Sequence, residues 1–145
     1  MRDREPDGPD GPDDAVQDVA FTPAADAERI VRAFLAAMEA RDLDAARQWL
    51  APDFTMQFPG SPEMTELEQL VAFGSSRYRF VHKTFCAFDS CGQESRTVVI
   101  CNGWLSGEWP DGSAFKGIRF IDRFELRGGL LLRQDVWNDL ALVRC

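Results

Sequence analysis

Apolar residues in the first half of the chain are spaced as they are in helices. From Glu28 to Ala40 they recur every three or four residues and form one stripe, and Asp26 is placed to cap this helix. A second, short helix is predicted over Leu43 to Leu50 and is ended by Pro52, because a proline disfavours helical backbone in the residue before it. The alternating segment Asp53 to Phe58 predicts a short strand.

The period of the apolar pattern changes from helical to alternating after Arg79. Before that point a third helix begins after Thr65, where Glu68 completes a capping-box pattern. After it, the alternation predicts three strands, Phe80 to Phe88, Arg96 to Trp109 and Ser113 to Leu126. We expect the connections between them at Ser90 to Gln93 and at the hairpin dipeptide Asp111-Gly112.

The stretch from Gly117 to Leu140 predicts the last hairpin of the sheet. β-Branched and aromatic residues dominate both arms, and Gly128 and Gly129 between them supply the positive φ that a tight turn requires. Three helices followed by four long consecutive antiparallel strands predict an α+β fold, with the helices on one face of the sheet.

One acid interrupts the apolar face of this hairpin. Asp122 alternates with Ile118, Phe120 and Phe124, so the pleat of the strand places its carboxyl among three large apolar side chains. Such a carboxyl is either the partner of a buried donor or a functional acid whose pKa is raised by desolvation. Both interpretations stay open at this point, and His82, Tyr78 or an arginine would be the structural partner.

Length and charge limit the organisation of the chain and its partners. Its 145 residues, 45% of them hydrophobic, are enough for one domain with a core. Residues 1–22, rich in Asp, Gly and Pro, bury too little surface to fold, so we expect a disordered acidic tail before a single domain over residues 23–145. An acidic interaction arm is the alternative for the tail. The tail carries most of the net charge of −8, and the remainder offers no basic face for nucleic acid.

Membrane insertion, secretion and metal binding are not expected. The sequence lacks an apolar run of about 18 residues, the length of a membrane span. It starts with acidic residues and prolines rather than with a basic and then apolar signal, which favours the cytoplasm. The four cysteines show no CxxC spacing, and one histidine accompanies them. Reduced, packed thiols are therefore expected instead of a zinc site, and we expect no cofactor.

Three local signatures carry a resemblance to a known family. They are the segment AERIVRAFLAAMEARDLDAARQWLAPDFTMQFPG, the Phe-Glu-Leu followed by Gly128-Gly129, and the terminal Trp137-Asn138-Asp139-Leu140. With them, the chain from Pro23 to Val143 resembles the nuclear transport factor 2-like superfamily and, within it, the SnoaL-like group. The resemblance implies a cone: a strongly bent antiparallel sheet packed on three N-terminal helices around an apolar pocket. It also implies a homodimer formed through the outer sheet face.

Strand register indicates which residues meet inside the sheet. If Asp111-Gly112 is a two-residue turn, Leu105 lies opposite Ile118, Gly103 opposite Phe120 and Cys101 opposite Asp122. Counting across the expected turn at residues 90–93, Cys101 also lies opposite His82 when no bulge intervenes. The only histidine would then share one inward row with Asp122. The outer face would show the apolar patch Ile100, Trp104, Arg119 and Ile121, which favours a partner surface.

The catalytic positions of the resembled enzymes are only partly kept. The ketosteroid isomerases of the superfamily use a tyrosine, a base and an acid. In this sequence the tyrosine position falls at Phe34 and the base position at Phe58 or Gln57, and only the acid position, at Asp122, is kept. The cyclase acid falls at Val136, and a one-residue bulge would instead bring Asp135 into that place. The Asp-Arg-Asp set of the epoxide hydrolases is not matched. The resemblance therefore implies the fold firmly and leaves the activity open.

The sequence leads to one main hypothesis and two alternatives. The main hypothesis is a SnoaL-like enzyme that moves a proton on an apolar carbonyl or polycyclic compound, as a cyclase, isomerase or dehydratase, with Asp122 and His82 as the catalytic pair. The expected substrate-binding residues are Tyr78, Cys101, Phe120, Gln134, Val136 and Asn138. A non-catalytic module that binds an apolar ligand and a dimeric interaction scaffold are the alternatives.

Overall fold

The computed structural model describes residues 21–143, and within them four helices and five strands follow one another. The helices are α1 (Ala24–Glu39), α2 (Leu43–Arg47), α3 (Leu67–Ser75) and α4 (Leu140–Val143). The strands are β1 (Leu50–Gln57), β2 (Phe80–Gln93), β3 (Arg96–Glu108), β4 (Ala114–Arg127) and β5 (Leu130–Asn138). The α+β fold class is confirmed.

The strands form one curled, unclosed sheet in the order β1-β5-β4-β3-β2. Neighbours from β2 to β5 are antiparallel, as the sequence predicts, whereas β1 joins the free side of β5 in parallel. Helix α1 packs its apolar stripe against the inner face of the sheet. That stripe is buried, as the helical spacing predicts, and it comprises Ile30, Val31, Phe34, Leu35 and Met38.

The helix boundaries differ from the sequence prediction. Helix α1 begins at Ala24 with Pro23 in the N-cap position, so Asp26 lies in its first turn and does not cap it. Helix α2 ends at Arg47, and Pro52 lies within β1. A proline is tolerated there because β1 is an edge strand of the sheet.

Helix α3 has a capping box, but one residue further along than predicted. Glu66 occupies the N-cap, and its partner at N3 is Gln69 rather than Glu68. The amide oxygen of Gln69 accepts hydrogen bonds from the backbone N–H groups of Thr65 and Glu66, each at 2.9 Å. Glu66 and Gln69 have the spacing of a capping box, but a glutamate replaces the usual serine or threonine at the N-cap, so the sequence pattern pointed to Thr65 and Glu68 instead.

Strand β2 is longer than predicted, and this changes its register. It continues to Gln93, so the turn to β3 consists of Glu94 and Ser95 rather than Ser90 to Gln93. Glu94 takes the left-handed backbone conformation, with φ of 48°. The register also shifts between Phe85 and Ala87, where a β-bulge lies. As a result His82 pairs with Ser106, and the predicted pairing of His82 with Cys101 is wrong.

The predicted register between β3 and β4 is confirmed where it matters for the site. Leu105 pairs with Ile118, Gly103 with Phe120, and Cys101 with Asp122. Closer to the turn the pairs shift by one residue. The turn is therefore wider than two residues, and a bulge compensates for the difference.

The predicted disordered tail lies largely outside the described residues. Its last residue, Thr22, is buried. The hydroxyl of Thr97 donates a 2.5 Å hydrogen bond to the carbonyl oxygen of Thr22, and the backbone N–H of Gly129 donates to the Thr22 hydroxyl at 3.0 Å. Thr22 thus belongs to the folded part, one residue before the predicted boundary.

Candidate active site

A cavity of about 710 Å³ lies between the helices and the inner face of the sheet. Side chains from α1, α3 and strands β2 to β5 line it, together with α4 and the turn after β1. The buried apolar part of this lining is Phe34, Leu35, Met38, Leu70, Leu105, Phe120 and Val136. A cavity of this size and lining suits an apolar organic molecule.

A buried ion pair lies beside this cavity. Asp122 on β4 is 0% exposed, and the ammonium of Lys83 on β2 donates a hydrogen bond to its Oδ2. Lys83 faces inward because it alternates with Val81 and Phe85, which also line the cavity. Its Nζ lies 4.8 Å from the centre of the Phe120 ring, within the range of a cation–π contact.

The surroundings of Asp122 act on its pKa in opposite directions. Burial has the larger effect and raises the pKa, because the charged carboxylate is removed from water. The charge and hydrogen bond of Lys83, and then a hydrogen bond from Gln134, lower the pKa. The net pKa lies above the ordinary value of an aspartate. The carboxyl is thus better able to take up a proton than an exposed aspartate.

Two buried oxygens near this ion pair have no hydrogen-bond partner among the described residues. They are Oδ1 of Asp122 and Oε1 of Gln134. Gln134 lies on β5 opposite Phe124, two residues before Val136, which pairs with Asp122 across the strands. Since unsatisfied buried oxygens are costly, the site keeps unused acceptor capacity close to its ionisable pair.

Lys83 and Gln134 line the cavity, whereas Asp122 does not. The side chain of Lys83 is 20% exposed and extends between the cavity and the carboxyl. A bound molecule would therefore meet the ammonium group first. Lys83 thus both lines the cavity and donates a hydrogen bond to Asp122.

The predicted partnership of Asp122 with His82 is wrong. His82 does not line the cavity, and its Nδ1 is bonded to the carboxylate of Glu39 at the end of α1. The bulge of β2 is the physical reason, because its one extra residue places Lys83, rather than His82, on the inner face, while the longer strand moves the pairing of His82 along β3. The predicted alternative, a structural bond from Asp122 to Tyr78, is not formed either, since Lys83 takes that role.

The other predicted substrate-binding residues divide into two groups. Tyr78, Phe120, Gln134, Val136 and Asn138 line the cavity. Asn138 also accepts a hydrogen bond from the backbone N–H of Leu140 through its Oδ1, which ties the start of α4 to β5. Cys101 is fully buried and does not line the cavity. Burial, with the nearby charge of Asp122, raises the pKa of Cys101 to about 12, so its thiol stays protonated.

The question of whether Asp135 or Val136 faces the cavity has a clear answer. Val136 is buried and lines it. Asp135 lies on the other face, where Arg133 donates hydrogen bonds to it at 2.8 and 2.9 Å. The position of the cyclase acid in the resembled enzymes is thus occupied by an apolar side chain.

Sequence reasoning missed Lys83 and the arginines of the cavity. Arg32, Arg41 and Arg77 contribute to the lining from α1 and from the ends of α1 and α3. The signal for Lys83 was its place in the alternation with Val81 and Phe85. No comparable pattern marks the arginines, because each lies at an exposed position on or next to a helix.

Two further properties concern residues 21–143 as described. They contain no group of His, Cys, Asp and Glu side chains arranged to hold a metal ion. None of their helices is long and apolar enough to cross a membrane.

Several solved structures share this fold. An NTF2-like protein of unknown function from Burkholderia pseudomallei is 19% identical, with 81% of this chain and 94% of that chain covered and a TM-score of 0.67. TerC, crystallised with polyporic acid, is 16% identical, with 81% and 95% covered and a TM-score of 0.67. A candidate polyketide cyclase from Xanthomonas campestris is 18% identical, with 83% and 95% covered and a TM-score of 0.64. At such low identity these likenesses establish the fold alone.

The sequence family is more specific than the structural likeness. No curated protein sequence matches the chain. The SnoaL-like domain family matches residues 31–134, which include the second half of α1, strands β1 to β4 and the first part of β5 up to the inward-facing Gln134. Since this match spans most of the chain, the protein belongs to the SnoaL-like family of the NTF2-like superfamily.

Proposed function

We propose that this protein is an enzyme that transfers a proton on an apolar carbonyl compound bound in the cavity. The observation that carries the proposal is the Lys83–Asp122 pair, in which a cation that lines an apolar cavity is held by a fully buried acid. Perturbed ionisable groups in an apolar cavity are typical of acid–base sites. Two proteins of the same fold are named as candidate polyketide cyclases, which fits this class of reaction.

Lys83 is the catalytic residue of this proposal, because it is the member of the pair that a ligand can touch. An uncharged Lys83 amine would be the base that takes the proton from the C–H bond next to the carbonyl group of the ligand. The ammonium group formed in this way would then donate a hydrogen bond to the enolate oxygen and stabilise its negative charge.

Asp122 is a positioning residue. It orients Nζ of Lys83, and its raised pKa allows it to accept a proton from that nitrogen, which would leave an uncharged amine facing the cavity. The transfer moves one proton from Nζ to the carboxylate and creates no net charge in the interior. The amine can then take a proton from the ligand and give one back to the enolate at another atom, after which the carboxyl returns its own proton to Nζ.

The proposal is tested by measuring proton exchange directly. Wild-type protein incubated with tetralone in heavy water should incorporate deuterium next to the carbonyl group, as mass spectrometry would detect. Replacing Lys83 by Met should lower the rate by about 100-fold or more, which is the usual contribution of a general acid or base. Lys116→Met, at an exposed position of β4 outside the cavity, is the matched control and should exchange as fast as wild type.

Two results bear on the roles of the pair. Asp122→Asn should retain some exchange at a lower rate than wild type, because Lys83 would lose the carboxylate that orients its Nζ and accepts its proton. If Lys83→Met, shown to be folded by its melting transition, exchanges deuterium as fast as wild type, the proposed chemistry is wrong.

A second candidate function is non-catalytic binding of an apolar ligand. The observation that favours it is the apolar character of the two positions at which related enzymes carry acids, Phe58 and Val136, both of which line the cavity. Under this alternative, ligands would raise the melting temperature of the protein, and neither wild type nor any variant would accelerate deuterium exchange.

We also propose that two copies associate through the outer sheet face. Trp104, Ile121 and Trp137 are exposed by 45%, 40% and 55% on neighbouring strands, and Ile121 pairs directly with Trp137. Exposed apolar patches of this kind commonly mark protein interfaces. A second copy of the chain would bring the same patch and cover both.

A further inference from the structure

The mouth of the cavity is basic although the chain is acidic. Arg32, Arg41 and Arg77 line the cavity and are exposed to solvent, whereas Glu39 is the one acidic residue of the lining within the described part of the chain. The net charge of the whole chain is −8. Cations concentrated at an apolar opening raise the local concentration of anions and favour anionic ligands.

Arg41 differs from most other arginines of the fold in its pairing. Eight arginines of the described residues form an ion pair with an acid: Arg29, Arg32, Arg47, Arg79, Arg96, Arg119, Arg123 and Arg133. Arg41 instead donates from Nη1 to the backbone carbonyl of Met38, at 3.2 Å. A guanidinium has five N–H donors, so Arg41 keeps donors for a ligand.

The backbone holds Arg41 at the mouth by an unusual conformation. Its φ is 58°, in the left-handed region, directly after the end of α1. The backbone N–H of Arg41 donates to Met38 and that of Asp42 donates to Ala37, which closes the last turn of the helix. Glycine or asparagine is favoured at such a position, and a long charged side chain is not. An arginine here is disfavoured by the backbone, which suggests that its side chain serves another purpose.

The acid nearest to this region is already engaged. The carboxylate of Glu39 is bonded to His82 and accepts a hydrogen bond from the backbone N–H of Lys83 at 3.3 Å. Glu39 therefore fixes the end of α1 to β2. It forms no ion pair with Arg41.

We propose that the ligand of this cavity is an apolar organic anion, whose carboxylate or equivalent acidic group binds Arg41 at the mouth. Arg32 and Arg77 also line the cavity, but Arg32 is paired with Glu28 and stacks 3.8 Å above the Phe88 ring, and Arg77 stacks 4.0 Å above the Phe73 ring. The inference rests on the proposed function for the other end of the ligand, where the carbonyl group meets Lys83. The substrate class is thus an apolar keto acid.

The test compares an acid with its uncharged ester. Acetylnaphthoate carries a ketone and a carboxylate on a rigid apolar frame, and its methyl ester has the same shape without the charge. Titrations near neutral pH should give at least about tenfold tighter binding of the acid to wild-type protein, because charge-assisted hydrogen bonds are stronger than neutral ones. Added salt should weaken the binding of the acid and leave the binding of the ester unchanged.

The variants assign this preference to Arg41. In Arg41→Asn the preference for the acid should disappear while the affinity for the ester stays as in wild type, and asparagine tolerates the left-handed backbone, so the fold is kept. Arg29→Gln is the matched control, because Arg29 is an exposed arginine of α1 that does not line the cavity. It should retain the full preference.

Three outcomes would overturn the inference: equal affinity of wild type for acid and ester, an unchanged preference in Arg41→Asn, or no binding of the acid at all. None of them removes the proposed function. Deuterium exchange on neutral tetralone is compared between wild type and Lys83→Met, so its outcome is independent of the comparison of acid with ester.

Discussion

At the scale of single residues, the position of Asp122 can be predicted from sequence and the identity of its partner cannot. The alternation along β4 is local, and it places the carboxyl among Phe120 and Phe124 without reference to other strands. The residue that faces it from β2 depends on a turn length and a bulge some distance away. An error of one residue in the turn length or in the bulge places His82 instead of Lys83 on the inner face, because neighbouring side chains of a strand point to opposite faces.

The first prediction concerns the stability of the buried ion pair. Lys83→Met leaves Asp122 buried without its cation, which should lower the free energy of unfolding by about 3 kcal/mol near neutral pH. Without the lysine, burial raises the pKa of Asp122 further. The free energy of unfolding is therefore lost only where the buried carboxyl is ionised. The loss should shrink as the pH falls through the raised pKa of the folded state, and below the ordinary aspartate value of 3.8 the carboxyl is protonated in folded and unfolded chains alike. Urea denaturation at several pH values measures this.

The double variant is the control for this prediction. Lys83→Met combined with Asp122→Asn removes both charges and should recover most of the lost stability, with little dependence on pH. A loss in Lys83→Met that is the same at acidic and neutral pH would instead indicate lost packing of the lysine stem.

A second residue-scale prediction concerns Asp122 alone. Because the folded protein has a raised pKa at this carboxyl, protonation stabilises the fold at low pH, and this contribution is lost as the pH rises through the folded pKa. Asp122→Asn removes that dependence. Its stability relative to wild type should therefore increase from about pH 4 upwards, as paired thermal melts would show.

At the scale of elements, the close contact between β2 and β3 depends on a glycine. Gly103 pairs with Phe85, next to the bulge of β2, and a Cβ atom at this position would collide with the carbonyl oxygen of Thr84. The two backbones approach closely where the inner face turns towards the cavity. The glycine thus allows the bulge that selects Lys83 for the inner face.

The prediction for this element is a loss of stability in Gly103→Ala. Neither backbone can yield easily, so the free energy of unfolding should fall by about 2 kcal/mol or more. Asn102→Ala, at the adjacent exposed position of the same strand, should change it by less than about 0.5 kcal/mol. Chemical denaturation compares the two variants, and equal stabilities would show that the strands can separate at this point without cost.

The elements themselves were largely predictable, and their pairing was less so. The helical stripe of α1 and the alternation of β3 and β4 are strong local patterns. The parallel pairing of β1 with β5 has no local signal in the sequence, because the apolar pattern of a strand does not show which other strand it pairs with. The extra length of β2 was also not predicted. Cys91 and Gly92 were expected in a turn, but they continue the strand.

At the scale of the whole molecule, the outer face of the sheet bears on assembly. The prediction is that Trp104→Glu turns a dimer into a monomer at micromolar concentration, because it places a charge in the centre of the proposed interface. Sedimentation velocity measures this. Phe80→Glu is the matched control, since Phe80 is 53% exposed at the far end of β2, and it should remain dimeric. A dimeric Trp104→Glu, or a monomeric wild type, would contradict the proposal.

The parallel ladder between β1 and β5 also has a consequence for how the chain is made. Leu50 and Leu131 are partners although three other strands, β2 to β4, lie between them in the sequence. During synthesis β1 emerges early and has no strand to pair with until β5 has left the ribosome. Contacts between such distant segments form slowly. The final ordering of β1, and with it the neighbouring Phe58 wall of the cavity, therefore has to wait for the last strand to be translated.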